Sequence, residues 1–335
     1  MNYLTYIEGI YLRAIGIKKA GPAEEMKLVD IPCPTPQSNE IVIEQSFAGV
    51  NYGDTIRRKR GLFELNEHGY FVPGFEGVGR VVAVGNNVER FKIGDRVSYL
   101  NESNGGYSQQ ICLKELLAYA IPDSIPDKTA AAMTCVGSTA LCLTELANIK
   151  EGNWVIVHGA SGGVGQTLVQ LCLYKNAKVI AIVGTQEKSK FLERYRPTSV
   201  IVRNEADIKT QINDLTHGKG VSAIFDCVGN EVIDLNIDCI HKKGTILYYG
   251  STSGHVNFPG MQILMKSLRI QGFNIFNVLE DSNAWNITTG KLISLVNDKR
   301  LKFHIDRELK MADAPKAHKL LEERRSIGKI LLNIK

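Results

Sequence analysis

The chain has 335 residues, 44% hydrophobic and 22% charged, enough for two domains with full cores at ~100–200 residues each. Its 40 basic and 35 acidic residues leave a net charge of +5. The charges are dispersed, which argues against nucleic acid or a membrane surface as partner.

Seven cysteines occur without a C-x-x-C pair, several inside apolar runs, and read as free thiols in a reducing compartment. The opening MNYLTYIEGIYLRAIGIKKAG has no basic n-region ahead of an uninterrupted apolar stretch, because Glu8 and Arg13 break it. Neither a signal peptide nor a membrane-spanning run is expected, so a cytoplasmic location is the expectation.

In chain order, Arg13–Lys18 and Glu40–Val50 alternate apolar or β-branched residues and are predicted strands. Between them lies IPCPTPQSNE, whose three prolines are incompatible with regular structure. Gly74–Val84 and a short stretch within FKIGDRVSYL are further predicted strands. Together they predict an antiparallel, barrel-like β region.

From about Thr129 the texture changes. Apolar runs at Trp154–Val157, Lys178–Val183, Ser199–Val202, Val221–Phe225, Thr245–Tyr249 and Leu268–Phe273 alternate with segments of helical spacing. Near-continuous apolar strands alternating with helices predict a parallel, doubly wound sheet covered on both faces. A helix near 283–297, a strand at Lys302–Ile305, a helix at Ala312–Glu323 and a last strand in GKILLNI follow, a tail predicted to return to the β domain.

Between the first of these apolar runs and the next amphipathic run lies HGASGGVG, with Gly159, Gly162 and Gly165 in G-x-x-G-x-x-G spacing. In a strand–turn–helix context these glycines allow a tight turn, close approach of a pyrophosphate, and close packing of helix on sheet. The helix N-terminus then offers unpaired N–H groups and partial positive charge to the phosphates. Gly159, Ser161, Gly162, Gly163, Val164 and Gly165 are therefore candidate dinucleotide-binding residues.

An NAD site places Asp or Glu ~20 residues further on, at the end of the second strand, to bind the ribose 2′-OH. That strand end here reads Gly184-Thr185, with Lys188 close behind and Arg203 at the end of the third strand. A small residue, a hydroxyl and cations suit a 2′-phosphate, so NADP(H) is expected.

The runs AGVNYGDTIRRKRGLF, PGFEGVGRVVAVGNNVERFKIGDRVSY, HGASGGVGQ and RRSIGKILL, in this order, resemble the quinone oxidoreductase branch of the medium-chain dehydrogenase/reductase superfamily. The likeness runs from about residue 13 to 334. It implies an α/β chain with a GroES-like β-barrel domain from residues 1–128 and 277–335, and an inserted NADP(H)-binding Rossmann domain at 129–276. It also implies a site in the cleft between the domains, and a homodimer joined through the edges of its Rossmann sheets.

Residue by residue, the resemblance places Asn51 near the nicotinamide, with Tyr52 beside it as a stacking or proton-donating group. Ile56, Thr139, Asn230, Gly250, Ser251, Phe273 and Phe276 match positions around the cofactor, and Phe63, Tyr70 and Phe75 are candidates for an apolar substrate mouth. Asp54 is expected to cap a helix rather than act as an acid.

Zinc-dependent relatives carry Cys and His ligands at the positions of Asn51 and Phe75 here, and Cys135 alone matches. A catalytic zinc needs about three protein ligands, so no metal is expected. Without that Lewis acid, the expected reaction is hydride transfer from NADPH to an acceptor already electron-poor, a quinone or an α,β-unsaturated carbonyl. Two other readings are an enoyl-thioester reductase and a non-catalytic NADPH-binding protein. Enoyl-thioester reductases use a Tyr in the segment that reads RGLF, where this chain has Phe63, which has no proton to give. ELNEHGYF departs from a stretch that relatives often fill with prolines.

Overall fold

Tyr11–Gly16 (β1) buries Leu12, Ala14 and Ile15 and pairs antiparallel with Lys27–Pro32 (β2), which reaches into the proline-rich stretch expected to be irregular. Pro32 is tolerated because it ends the strand. These are the first elements of a computed structural model that describes residues 11–203 and 207–335. The reading of the first ten residues as free of a signal peptide lies outside the described residues.

The chain divides into two units. The first takes the chain up to Cys135, Leu279–Ile293 and Phe303–Lys335; the second takes Val136–Val278 and Ser294–Lys302.

In the first unit, Glu40–Val50 (β3) is the long central strand. Tyr52–Arg60 (α1) follows it directly and ends at Gly61. Glu76–Val84 (β4) returns antiparallel to β3, and Arg96–Leu100 (β5), Gln110–Lys114 (β6) and Ala118–Ala120 (β7) extend the sheet. Ile41, Ile43, Val81, Val97, Tyr99 and Ile111 fill one core cluster; Ile15, Ile17, Met26, Phe71, Tyr107, Ile330 and Leu332 fill another.

Asp127–Leu146 (α2) leads on to the second unit. No membrane-length apolar run was expected, yet α2 reaches it by length and a mean hydropathy of 1.2. As 72% of that window is buried inside the protein, α2 has the character of a core helix.

The second unit alternates Trp154–His158 (β8), Gly163–Tyr174 (α3), Lys178–Val183 (β9), Gln186–Leu192 (α4), Ser199–Val202 (β10), Ile208–Thr216 (α5), Val221–Asp226 (β11), Ile233–Cys239 (α6), Ile240–Tyr248 (β12), Gly260–Lys266 (α7) and Arg269–Gly272 (β13). Among the described residues its six strands are all parallel, in the order β10-β9-β8-β11-β12-β13. This is the doubly wound order of a Rossmann sheet, whose switch point falls between β8 and β11.

Ser282–Asn297 (α8), Ile305–Lys310 (β14), Ala314–Glu322 (α9) and Lys329–Asn333 (β15) complete the chain. β15 pairs with β3, which sets the last strand in the first unit, whereas Ser294–Lys302 fall in the second. Two details differ from the sequence reading. β14 starts where the expected strand at Lys302–Ile305 was to end, and it pairs parallel with β15 in an otherwise antiparallel sheet. A parallel neighbour requires a crossover, which α9 supplies. The register is fixed by Leu309 opposite Leu332, a long-range pairing without a local signal.

Candidate cofactor site and active site

The six strands of the second unit among the described residues run the same way, so the segments after them emerge at one edge of the sheet. Gly159–Gly165 follow β8, Gly184, Thr185 and Lys188 follow β9, and Arg203 follows β10. Asn230 follows β11, Gly250 and Ser251 follow β12, and Phe273 and Phe276 follow β13. The topology thus gathers these candidates on one side. Main-chain bonds knit the edge together, from Ala160 N–H to Ile182 O, Arg203 N–H to Val183 O, Thr252 N–H to Cys227 O and Phe273 N–H to Tyr248 O.

The glycine loop has the geometry of a phosphate cradle. Gly159 has φ +58°, and a Cβ on Gly165 would strike the carbonyl oxygen of Gly159 and lie 2.8 Å from Ala160 Cα. The loop therefore folds onto the first turn of α3 so closely that no side chain fits. Gly162 is the N-cap of α3 and no side chain caps the helix, so its first-turn N–H groups are left for an anion.

The neighbouring edge carries hydroxyl and cation together. Thr185 caps α4, accepting from Lys188 N–H (3.3 Å), which leaves its hydroxyl proton available to donate. Arg203 pairs with Glu231 (3.3 Å), a carboxylate that sequence reading did not place there, while its buried Nε has no hydrogen-bond partner among the described residues.

Beneath this edge lies a polar chain that sequence reading missed. His158 Nε2 meets Asn236 Oδ1 at 2.7 Å, and Asn236 Nδ2 donates to Asp226 Oδ2 at 2.9 Å. Asp226 Oδ1 accepts the N–H groups of Val228 (2.7 Å) and Gly229 (2.9 Å). Burial pushes the His158 pKa down, which leaves a neutral imidazole whose Nε2–H donates to Asn236. These bonds fix the loops after β8 and β11, the two strands flanking the switch point. The signal was a His ending an apolar strand, WVIVH, but its partner lies on α6.

In the first unit, Asn51 stands between β3 and α1. Its backbone N–H donates to Asp54 Oδ2 (2.8 Å), so Asp54 supports the helix start, one half of a capping box. The Asn51 side chain is used elsewhere. Nδ2 donates to Glu76 Oε1 (2.9 Å) and Oδ1 accepts from Lys329 Nζ (2.5 Å). Lys329 also contacts Glu76 Oε1 at 2.6 Å, and Glu76 Oε2 accepts the Cys135 N–H at 2.7 Å. Both charged side chains are buried, at 3% and 0% exposure. Strand pairing brings the three together: Ile330 lies opposite Val50, and Gly49 opposite Glu76. Gly49 is required there, because a Cβ would collide with the Glu76 carboxylate.

Tyr52 is the first residue of α1 and is half-buried, as is Ile56 one turn on. Thr139 lies buried on α2. Phe63 stacks face to face on Phe71 (4.4 Å, 8°), Tyr70 lies under the Lys18 ammonium (5.0 Å), and Phe75 is buried beneath the Arg57 guanidinium (5.0 Å).

A zinc does not fit this donor set. Phe75 offers no ligand atom, the Asn51 oxygen already holds an ammonium, and Cys135 contributes a single sulfur where about three ligands are needed. No group of three or more His, Cys, Asp or Glu suited to a metal occurs among the described residues.

Comparison with known proteins gives a consistent result. The alcohol dehydrogenase GroES-like domain family matches residues 37–123, and the zinc-binding dehydrogenase family matches residues 163–289. A probable quinone oxidoreductase of Schizosaccharomyces pombe is 32% identical over 95% of this chain and 96% of its own. The crystal structure of Escherichia coli quinone oxidoreductase complexed with NADPH superposes with a TM-score of 0.91 at 28% identity, covering 96% of this chain and 99% of that one. A mycobacterial protein solved in complex with NADPH gives 0.90 at 28% identity, over 96% and 99%.

Proposed function

The chain belongs to the quinone oxidoreductase-like branch of the medium-chain dehydrogenase/reductase superfamily, and on that premise we propose that it reduces a quinone or an α,β-unsaturated carbonyl with NADPH, without a metal. The observation that carries this reading is the edge of the Rossmann sheet, where an uncapped helix N-terminus behind the glycine loop adjoins a strand end that has Gly184-Thr185 in place of a carboxylate.

Bound there, NADPH supplies the hydride. Gly159–Gly165 hold the pyrophosphate by backbone N–H groups and the α3 dipole. Thr185, Lys188 and Arg203 receive the 2′-phosphate. Asn230, Gly250, Ser251, Phe273 and Phe276 border the remainder of the cofactor. Asn51 orients a ligand oxygen, and Tyr52 offers a flat face or a hydroxyl proton. Phe63, Tyr70 and Phe75 lie in the segment that shapes the acceptor's entrance. As these donors do not suit a zinc ion, the acceptor is one activated by its own conjugation.

The partners proposed are a small-molecule acceptor and a second copy of this chain, rather than nucleic acid or membrane. β13 lies at the end of the parallel sheet, and α7, the helix that precedes it in the chain, exposes Met261, Leu264 and Met265 at 67%, 70% and 71%. An unpaired strand edge beside exposed apolar side chains suits sheet-to-sheet association.

NADPH consumption with benzoquinone, phenanthrenequinone and crotonyl-CoA, with NADH in parallel, tests the reading. Quinone turnover preferring NADPH supports it. Turnover with the thioester alone points to an enoyl-thioester reductase, and tight NADPH binding without oxidation to a non-catalytic binder.

A further inference from the structure

We propose that Lys329 and Glu76 form a charged clamp that presents the Asn51 carboxamide to bound ligand solely as a hydrogen-bond donor, which makes Lys329 a positioning residue for the reduction proposed above. The inference rests on that reductase reading for its catalytic consequence, and on the geometry alone for the clamp.

A primary amide has two faces, a carbonyl that accepts and an NH2 that donates, and it can exchange them by rotating half a turn. At Asn51 this rotation is blocked by the charges of its neighbours. Lys329 carries only donors, so the atom it meets at 2.5 Å must be the amide oxygen. Glu76 faces the Lys329 ammonium and the Cys135 N–H with its two oxygens as acceptors, so the atom it meets at 2.9 Å must be the amide nitrogen. Rotation would set an ammonium against an NH2 and a carboxylate against a carbonyl oxygen, two repulsions with little water to screen them.

The clamp is itself held. Glu76 is fully buried, its second oxygen takes the Cys135 N–H, and Lys329 begins β15 beside β3. Asn51 is half-buried and marks the end of β3. Its amide oxygen is committed to Lys329 and one N–H to Glu76. Glu76 takes one of the two N–H groups of this amide, and the second is what remains for a ligand. A fixed donor suits a carbonyl oxygen, and suits it better as that oxygen gains negative charge while hydride is added to the conjugated system. The ammonium also strengthens the donor by drawing electron density through the amide oxygen.

The ion pair has a second consequence. In metal-dependent relatives, the residue matching Asn51 is the first cysteine ligand. Here a buried cation of the chain itself lies against Asn51 and Glu76, and its charge opposes a divalent ion at those atoms.

The test uses a charge-balanced pair, Lys329→Met with Glu76→Gln, because removing one partner strands a buried charge and risks unfolding. Wild type, the double variant and Lys329→Arg are compared in NADPH binding by calorimetry, in steady-state quinone reduction, and in the side-chain amide signal of Asn51 in protein labelled with 15N-asparagine. The double variant is expected to fold, to bind NADPH within about twofold of wild type, and to lose roughly tenfold to a hundredfold in kcat, in keeping with loss of one donor to a developing oxyanion. Lys329→Arg, which keeps charge and donors, is expected to recover most of that loss. In wild type the Asn51 amide protons should exchange slowly and resonate apart, and in the double variant they should exchange faster. Wild-type kcat in a folded double variant overturns the positioning role. An Asn51 amide in wild type that exchanges like a surface amide overturns the clamp, whatever the kinetics. Wild type without turnover of any acceptor would instead count against the reductase reading, and the amide signal would still decide the clamp.

Discussion

At the scale of single residues, buried polar chains carry most of what is distinctive. Lys329→Met alone leaves Glu76 charged, buried and short of a partner, which should cost about 3–5 kcal/mol of stability; the double change with Glu76→Gln should recover most of it. Urea denaturation of the three proteins checks this. A single variant as stable as wild type would show that the pair is neutral to stability.

A second chain runs from Asp54 through Tyr107 to His318 and Arg58. Tyr107 Oη donates to Asp54 Oδ2 (3.0 Å) and meets His318 Nε2 (3.2 Å), while Arg58 Nε donates to His318 Nδ1 (3.3 Å). Burial raises the Asp54 pKa from 3.8 to about 7, against the bonds from Asn51 N–H and Tyr107 and the charge of Lys329, with Glu76 adding to the rise. Burial and the nearby Arg58 and Lys59 charges lower that of His318 from 6.5 to about 3.

The two shifts act in opposite directions on stability. Folded Asp54 keeps a proton that the unfolded chain releases above about pH 4, so its contribution is full below that pH and is lost as pH rises to about 7. Unfolded His318 takes a proton below about pH 6.5 that the folded form refuses, so its contribution is lost as pH falls towards about 3. Between about pH 4 and 6.5 the slopes oppose each other and these two groups leave stability nearly flat. Asp54→Asn should unmask the histidine, giving stability that climbs with pH by up to about 1.4 kcal/mol per unit in that window. Denaturation midpoints across the window read it directly; a profile parallel to wild type would contradict the assignment.

At the scale of elements, the strand–loop–helix of β8 and α3 is the unit on which the proposed cofactor site depends. Gly165→Ala sets a methyl against the Gly159 carbonyl, so it should weaken NADPH binding by at least roughly tenfold, about 1.4 kcal/mol, as calorimetry would measure. On the neighbouring strand end, Lys188→Glu should raise KM for NADPH by roughly tenfold while leaving that for NADH within about twofold. Equal effects on both cofactors would remove Lys188 from the 2′-phosphate site.

These elements were legible in the sequence for a physical reason. Strands such as β8, β9 and β11 are covered on both faces, so each shows as a near-continuous apolar run, and the glycine loop is contiguous. β2, β7 and β14 were missed or misplaced because they are short or lie at sheet edges, and half-exposed or polar residues dilute their pattern. The chains of Asn51, Glu76 and Lys329, and of His158, Asn236 and Asp226, were illegible because their members lie far apart along the chain. The parent strands were readable; which residues their pairing would set side by side was not.

At the scale of the whole molecule, the proposed dimer depends on β13 and the apolar face of α7. Leu264→Glu combined with Met265→Glu places charge on an exposed helix and should leave folding intact while converting a dimer to a monomer. Light scattering after size-exclusion chromatography reads the mass. A wild-type monomer would refute this surface as an interface.

The central claim concerns chemistry: NADPH reduces a self-activated acceptor on a protein that uses no metal. The most direct measurement is phenanthrenequinone-dependent oxidation of NADPH by protein stripped with a strong chelator and assayed before and after zinc is added. Turnover that survives chelation and does not respond to zinc is the expected result. Absence of oxidation, or oxidation that returns with zinc alone, would contradict it.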